Sequence, residues 1–305
     1  MRLRSGLVLE FWDRKRLLSL KNKDYFKFVE NFLGFLLVND LKNNDVTTGS
    51  LITKKKKITA AIIAKESGMA AGLEEFGLLN KDLKIKFLKK DGDKVNSNDT
   101  ILEIEGDANK ILSRERVSLN LLQRMSGIAT LANSLNGKLK NKTKIAATRK
   151  TLWGLLDKKA VSIGSGLTHR LNLNDGILIK DNHLQILNYE IEKSLNLAGN
   201  RSKYIEIEVE NGEQALKAAG SIKNLIDKNN TNLFAIMFDK MPPNEIKSVI
   251  EELKKLNLYN DILFEASGNI NADNLAEYSG CGADIISMGF LTNPGKSLNM
   301  SLEIK

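Results

Sequence analysis

The sequence predicts an α/β protein in which a mixed N-terminal domain precedes a barrel of parallel strands. Its 305 residues are enough for two domains of unequal size, and its 42% hydrophobic and 27% charged residues are those of an ordinary globular protein. Near residue 140 the pattern changes from scattered helices and short strands to a regular alternation of strands and helices. We therefore predict domains at residues 1–140 and 141–305, with the extreme C terminus as a segment that could return to the first domain.

The N-terminal part combines two helices with three short strands. Apolar residues at helical spacing predict a helix over residues 22–41 and a long helix from about Asn109 to Leu139. Apolar runs predict strands at Ala60–Ala64, Ile85–Leu88 and Ile101–Ile104. The sequence Asp91-Gly92-Asp93 favours a turn between strands. The pattern indicates a mixed domain that ends with the long helix.

The C-terminal part contains a series of strand-like runs, most of them separated by segments of helix length. These runs are Lys144–Thr148, Gly176–Lys180, Tyr204–Glu210, Phe234–Asp239, Leu263–Ser267 and Asp284–Gly289. Strands that alternate with helices are typical of a parallel sheet, and the repetition of the unit favours a barrel.

Polar or small residues lie at the ends of these runs. They are Arg149-Lys150, Lys180-Asp181, Glu208, Asp239, Ser267-Gly268 and Gly289. Because the carboxyl ends of barrel strands converge at one mouth, where barrel enzymes hold their catalytic residues, we expect these side chains to lie together. A set of cations, carboxylates and glycine-containing turns suits a multiply anionic substrate and a divalent metal.

The net charge and the cysteine content indicate which classes of partner and which cellular compartment to expect. The formal net charge of +9 favours an anionic partner, and charge alone leaves nucleic acid, acidic lipid and a phosphorylated metabolite open. The densest basic run, Lys54–Lys57, is interpreted as a solvated turn rather than a nucleic-acid patch. The only cysteine, Cys281, cannot form an intramolecular disulfide. With no signal-peptide pattern and no membrane-length apolar run, we expect a cytoplasmic protein.

A series of short motifs resembles, in order, the signatures of quinolinate phosphoribosyltransferases. The central ones are Thr148-Arg149-Lys150-Thr151, Thr168-His169-Arg170 and Leu178–His183. The others are Asp45-Val46-Thr47-Thr48, Glu115-Arg116, Ile205–Glu210, Met237-Phe238-Asp239, Glu265–Gly268 and Ser287-Met288-Gly289. Each motif alone is weak, but so many in one order at compatible spacings are not expected by chance. The resemblance covers nearly everything from residue 34 to the C terminus.

The resemblance implies a fold, an assembly and a reaction. The fold would be an N-terminal α/β sandwich domain followed by a C-terminal incomplete TIM-like α/β barrel. The assembly would be a homodimer whose active sites are completed by the partner's N-terminal domain, with assembly beyond the dimer left open. The reaction would convert quinolinate and phosphoribosyl pyrophosphate to nicotinate mononucleotide, diphosphate and carbon dioxide in NAD biosynthesis, with Mg²⁺. No nucleic-acid or membrane partner is expected.

Quinolinate has two adjacent carboxylates, which require several cations held close together. Arginine suits this task because its planar guanidinium binds a carboxylate through two parallel hydrogen bonds. By motif position, the dicarboxylate site would comprise Thr148, Arg149, His169, Arg170 and Lys180, with Arg116 reaching in from the other subunit. We expect the second histidine, His183, to be structural.

The resemblance assigns the other substrate to the remaining strand ends. Glu208 and Asp239 would hold the ribose hydroxyls and the metal, as hard oxygen ligands for a hard cation. Strand geometry alone leaves Glu206 and Glu210 as alternatives to Glu208, because all three point the same way on an ideal strand. Lys150 would neutralise the departing diphosphate, so the residues expected to act in catalysis are Lys150, Lys180, Glu208 and Asp239. Backbone N–H groups of Ser267-Gly268-Asn269 and Met288-Gly289-Phe290 would bind the 5-phosphate.

Four departures from the family pattern lie beside the predicted site, and one of them is Leu291-Thr292-Asn293-Pro294 in place of Leu-Thr-His-Ser. Ala147 stands where the family usually has aspartate, and Gly164-Ser165-Gly166 replaces three glycines. The segment at residues 152–159 is shorter than usual and lacks an arginine. These departures bear on substrate detail more than on the class of reaction.

Two classes of alternative function remain open from the sequence. One is a related phosphoribosyltransferase, either nicotinate phosphoribosyltransferase or the paralogue encoded with some molybdate transporters. The other is a non-catalytic, basic RNA-binding scaffold. The full set of carboxylate-binding cations favours quinolinate over the first alternative. The second would not require Glu208, Asp239, Ser267 and Gly289, all of which are present.

Overall fold

A computed structural model describes residues 3–139, 143–199, 201–293 and 295–305. The chain divides into two compact units that draw on both sides of residue 140. The barrel unit comprises Met1–Arg14, Leu135–Thr151 and Gly166–Asn293, and the sandwich unit comprises Lys15–Ser134, Leu152–Ser165 and Pro294–Lys305. Within the described ranges, no helix combines the length and the apolar character needed to cross a membrane.

The predicted helices and strands are present, with differences only at their ends. The helices are α1 Arg4–Trp12, α2 Lys23–Leu41, α3 Val46–Leu51, α4 Leu73–Leu79, α5 Ala108–Lys138, α6 Leu155–Ile163, α7 Asp181–Ile186, α8 Ile191–Ala198, α9 Gly212–Asp227, α10 Pro243–Lys255 and α11 Leu275–Tyr278. The strands are β1 Lys57–Ala64, β2 Gly68–Met69, β3 Lys84–Phe87, β4 Lys94–Val95, β5 Thr100–Asp107, β6 Lys144–Ala147, β7 Ile177–Ile179, β8 Tyr204–Val209, β9 Leu233–Asp239, β10 Ile262–Ser267, β11 Ile285–Met288 and β12 Met300–Ile304.

The sandwich unit contains a four-stranded antiparallel sheet in the order β12-β1-β5-β3. Its central strand, β1, pairs Ala60 with Ile304 of β12 on one side and with Ile104 of β5 on the other. Lysines of the edge strand β3 face glutamates of its neighbour β5, as in the Lys86–Glu103 and Lys84–Glu105 pairs. Such pairs lie across neighbouring strands and keep this surface solvated.

The barrel unit is an open parallel sheet in the order β6-β11-β10-β9-β8-β7, as expected for an incomplete barrel. Its lower interior is filled by α1, whose Val8, Phe11 and Trp12 form one buried cluster with strand residues. The strand residues in this cluster include Ala235 of β9 and Leu263 of β10, each four residues before a predicted site residue. Packing below the strand ends therefore supports the polar residues above it.

Candidate active site

The carboxyl ends of the barrel strands surround a cavity of about 840 Å³. Most of the predicted site residues line it, namely Thr148, Arg149, Lys150, His169, Arg170, Lys180, Glu208, Asp239, Ser267, Gly268, Asn269, Gly289 and Phe290. These residues come from six strand ends and the loops that follow them. In the parallel register Ser267 lies beside Asp239 across β10 and β9, and Glu208 lies beside Met237, two residues before Asp239.

Two predicted site residues do not line this cavity. Met288 has its side chain buried within β11. Arg116 belongs to the sandwich unit, where it is exposed at a cleft of about 270 Å³ that Asp45 and Ser113 also line. Among the residues that the structure describes, none forms a salt bridge or hydrogen bond with the Arg116 guanidinium, so this cation is available to an external anion.

One wall of the cavity holds two arginines without an anionic partner. Arg149 and Arg170 both line the cavity, and neither forms a salt bridge within the described part of the chain. Burial, together with the nearby charge of Arg149, lowers the pKa of the Arg170 guanidinium below its usual value. The Arg170 side chain donates a 3.0 Å hydrogen bond from Nη1 to the carbonyl oxygen of Gly176. Two neighbouring cations in a concave site favour a ligand with more than one negative charge.

The lining of the same cavity also pairs each predicted metal-binding carboxylate with a lysine. Lys180 Nζ lies 2.6 Å from Glu208 Oε2, and Lys240 Nζ lies 2.9 Å from Asp239 Oδ2. Lys240 has a backbone φ of +57°, which an L-residue adopts only where the surrounding structure requires it. Both carboxylates therefore already attract a cation.

Glycine is required at position 268, next to Asp239. Gly268 has a φ of +92°, and a Cβ atom there would lie 2.7 Å from Asp239 Oδ1 and 2.6 Å from the backbone nitrogen of Lys240. No other residue would fit without moving the acidic side chain or the backbone. The turn at Ser267-Gly268-Asn269 thus brings backbone close to the carboxylate, and Ser267 Oγ is held by a 2.9 Å hydrogen bond from Ser287 Oγ.

The floor of the cavity contains a buried cluster of His169, Glu206 and Glu265. His169 Nε2 lies 2.8 Å from Glu265 Oε2 and 3.4 Å from Glu206 Oε2. Burial raises the pKa of the Glu265 carboxyl to about 7, and burial together with the charge of Glu265 raises the pKa of Glu206 well above its usual range. At neutral pH this cluster therefore carries less negative charge than two exposed glutamates would.

Access to the cavity separates Glu206, Glu208 and Glu210, which strand parity alone could not rank. Glu206 is buried in the floor, Glu208 lines the cavity, and Glu210 is exposed beyond the end of the strand. Only Glu208 combines access to the cavity with a lysine partner. The assignment of the metal and the ribose hydroxyls to Glu208 stays a prediction.

Sequence reasoning missed Lys240 and the role of the floor glutamates. Lys240 directly follows the predicted site residue Asp239 and lines the cavity. Its position there depends on its left-handed backbone conformation, which the sequence does not predict. Glu265 stands in a matched motif two residues before Ser267, on the same face of its strand, and this parity was a signal for an inward carboxylate.

Of the departures noted above, the segment at residues 152–159 has a clear structural role. Asp157, which is completely buried, accepts hydrogen bonds from the backbone nitrogens of Leu152 and Trp153, both 3.0 Å long. Arg124 binds the same carboxylate through two contacts of 2.7 Å. The segment is part of the sandwich unit, so its local order is provided by that unit.

Comparisons with known proteins agree over nearly the whole chain. Residues 45–126 match the family described as quinolinate phosphoribosyl transferase, N-terminal domain, and residues 128–303 match the corresponding C-terminal domain. A probable nicotinate-nucleotide pyrophosphorylase (carboxylating) from Methanocaldococcus jannaschii is 38% identical over 301 residues, covering 92% of this chain and 98% of that protein.

Two further relatives extend this agreement. The protein of the same name from Methanothermobacter thermautotrophicus is 37% identical over 276 residues, covering 87% of this chain and 95% of that protein. The crystal structure of NadC from Streptococcus pyogenes superimposes with a TM-score of 0.78 at 31% identity, covering 91% of this chain and 97% of that one.

Proposed function

This chain belongs to the quinolinate phosphoribosyltransferase family, and we propose that the barrel cavity is its active site. The reaction there joins quinolinate to the phosphoribosyl group of phosphoribosyl pyrophosphate and yields nicotinate mononucleotide, diphosphate and carbon dioxide, a step of NAD biosynthesis. The observation that carries this proposal is that Arg149 and Arg170, which form no salt bridge among the described residues, line the same cavity as Glu208 and Asp239. One wall suits a dicarboxylate, and the other suits a metal-bound diphosphate.

The arginine wall orients quinolinate. Arg149 and Arg170 would bind its two carboxylates with charge-assisted hydrogen bonds, with Lys180 beside them. Such fixed cations hold the pyridine nitrogen at a set distance from the second substrate, and this orientation supplies much of the rate in a two-substrate reaction. Lys180 also contacts Glu208, so it links the two halves of the site.

The carboxylate wall fits Mg²⁺ and the ribose of the second substrate. Glu208 and Asp239 are hard oxygen donors that line the cavity and already hold ammonium groups. When bound, Mg²⁺ would neutralise charge on the diphosphate. Lys150 also lines the cavity, and its backbone carbonyl oxygen accepts a 2.7 Å hydrogen bond from Thr292 Oγ1. Its ammonium group would stabilise the leaving diphosphate.

The chemistry needs preorganised charge rather than a protein nucleophile. The lone pair of the pyridine nitrogen forms a bond to the anomeric carbon while the carbon–oxygen bond to diphosphate breaks and its electrons leave with diphosphate. The ring then carries a positive charge. The bond to the 2-carboxylate breaks, carbon dioxide leaves, and the electron pair stays on a ring carbon next to the cationic nitrogen until that carbon takes a proton. The carboxylates and cations of the cavity stabilise these charges as they form.

We further propose that the protein is a cytoplasmic homodimer with shared active sites. Its single cysteine, Cys281, is buried as a free thiol, which supports a reducing compartment. The Arg116 guanidinium is exposed and forms no salt bridge within the described ranges, which supports a role in which it serves the site of a partner subunit.

The direct test of the proposed function follows both products from labelled quinolinate. We expect carbon dioxide and nicotinate mononucleotide to appear in equal amounts, and only when both substrates are present. Mononucleotide formed from nicotinate without carbon dioxide would instead indicate the non-decarboxylating alternative. If quinolinate yields no carbon dioxide and no mononucleotide, the proposed function is wrong.

We also expect the reaction to require a divalent cation. Glu208 and Asp239 are placed to work with a metal–diphosphate complex, so excess chelator should abolish turnover and added Mg²⁺ should restore it. Circular dichroism in chelator serves as the control for folding. Full turnover in excess chelator would contradict the assignment of a metal to these carboxylates.

A further inference from the structure

The two ring nitrogens of His169 have different hydrogen-bond partners. The backbone N–H of Arg170 lies 2.7 Å from Nδ1, and Glu265 Oε2 lies 2.8 Å from Nε2. A backbone N–H can only donate, so Nδ1 must offer a lone pair and cannot carry a proton. The proton of the ring then belongs on Nε2, where a carboxylate accepts it.

This arrangement argues against a positive charge on His169. An imidazolium carries protons on both nitrogens, and its Nδ1–H would face the N–H of Arg170. The side chain is only 8% exposed, so water cannot relieve that conflict. A ring fixed in this way has one proton and no net charge.

The same assignment excludes a metal ion at this cluster. His169, Glu206 and Glu265 bring possible ligand atoms within 4.8 Å of one another, which in isolation suits a cation. A metal bound at Nε2 would displace the proton there while Nδ1 still accepts from Arg170, and the ring would become an anion. That state is unfavourable at neutral pH, so the cluster is better explained as a network of hydrogen bonds.

The segment around His169 is held in place from both sides. Its backbone nitrogen donates to the carbonyl oxygen of Trp12 over 2.8 Å, and the backbone N–H of Arg14 donates to Thr168 Oγ1 over 2.7 Å. His169 itself has a φ of +53°, an uncommon conformation that points to a functional constraint. The ring therefore fixes the start of Arg170 within a rigid frame below the arginine wall.

We propose that His169 is a positioning residue, a neutral ring that Glu265 and the Arg170 backbone hold in the Nε2–H form so that the Arg170 guanidinium is aimed at the dicarboxylate. This inference rests on the proposed function for the identity of the anion. It changes the role of His169 from a cation that binds the substrate to a neutral residue that positions the substrate-binding Arg170. The dicarboxylate site then depends on Arg149, Arg170 and Lys180 for its charge.

The other histidine supports a substrate-binding residue in the same way. His183 is the third residue of α7, and its Nδ1 accepts the backbone N–H of Lys180 over 2.9 Å. This hydrogen bond satisfies a donor that the helix itself leaves unpaired. Both histidines of the chain thus use Nδ1 to fix the backbone of a cation that lines the cavity.

The protonation state can be measured without any assay of activity. The chain contains only two histidines, so protein labelled with ¹⁵N-histidine gives two ring systems, and His169→Asn identifies one by its absence. Long-range proton–nitrogen spectra of the substrate-free protein distinguish the two neutral forms from imidazolium. We expect the His169 ring to be in the neutral Nε2–H form at neutral pH. An imidazolium or a neutral Nδ1–H ring would overturn the inference, and this result does not depend on which substrate the enzyme uses.

A pair of neutral variants tests the positioning role. In His169→Asn the amide oxygen can replace Nδ1 as the acceptor for Arg170, and asparagine tolerates a φ of this sign. In His169→Gln the amide can replace only the Nε2–H donor to Glu265. We expect the KM for quinolinate to rise about tenfold in the glutamine variant and to stay within about threefold in the asparagine variant, as for loss of one buried hydrogen bond. The KM for phosphoribosyl pyrophosphate should remain unchanged in both.

The pair also separates this inference from the proposed function. Equal loss of quinolinate affinity in the two variants, both folded by thermal melting, would mean that the charge of His169 matters and would overturn the positioning role. If the wild-type protein does not turn over quinolinate at all, the proposed function fails, whereas the ring spectra still decide the state of His169.

Discussion

Lys180→Ala will remove most quinolinate turnover and leave the barrel folded. Lys180 lines the same cavity as Arg149 and Arg170 and also contacts Glu208 over 2.6 Å. Because the Lys180 side chain is 44% exposed, its hydrogen bond to a charged substrate contributes about 1.5–3 kcal/mol, which corresponds to at least about a tenfold fall in kcat/KM. The measurement is the rate of carbon dioxide release at subsaturating quinolinate.

The chain offers a closely matched control for this variant. Lys254 also contacts a glutamate, at 2.8 Å from Glu251, and its side chain is 44% exposed, the same fraction as that of Lys180. It lies on α10 and does not line the cavity. Lys254→Ala should therefore retain wild-type kcat/KM, so that any loss specific to Lys180→Ala reflects its place in the site.

A second variant guards against an indirect effect through Glu208. Removing Lys180 leaves a largely buried carboxylate without its partner, which could disturb the metal-binding side of the cavity. Arg149 forms no salt bridge within the described residues, so Arg149→Ala removes a cation and leaves no carboxylate unpaired. It should show a similar loss with an unchanged melting temperature. Wild-type efficiency in either variant would mean that the dicarboxylate binds elsewhere.

The strands of the barrel could be predicted because each is a nearly continuous apolar run. The strand β9, for example, is buried along most of its length and ends at Asp239. Such continuous apolar runs indicate strands that are buried on both faces, and the polar residues at their ends indicate the open end of the barrel. The identity of the site followed from motif order, since the contacts that build it join residues as far apart as His169 and Glu265.

Other features depend on contacts that no local pattern contains. Helix α1 has nine residues, too few for a clear helical period, and it folds because Trp12 and Phe11 fill the base of the barrel. Strand β12 pairs with β1 across more than half of the chain, so only tertiary structure identifies it as part of the first sheet. Likewise, periodicity shows that the side chains of Glu206 and Glu208 point to the same face of the strand. The depth of each carboxylate within the barrel depends on the packing beneath the sheet, which periodicity does not show.

The final prediction concerns Arg116 and the assembly of the site. Every other cation proposed to bind the dicarboxylate comes from the barrel unit, whereas Arg116 comes from the sandwich unit and has no partner among the residues described. If Arg116 serves the cavity of a partner subunit, each active site combines Arg116 from one chain with Lys180 from the other across a two-fold axis. Arg116→Ala and Lys180→Ala should then each be nearly inactive as pure proteins.

Mixing the two variants should restore activity. When they are unfolded together and refolded, random pairing makes about half of the dimers mixed, and each mixed dimer has one site with both cations and one site with neither. We therefore expect about a quarter of the wild-type activity, measured as carbon dioxide release. Differently tagged subunits, recovered together by affinity capture, establish that exchange has occurred. If exchanged dimers remain inactive, Arg116 does not act across the interface, and the shared-site arrangement is wrong for this protein.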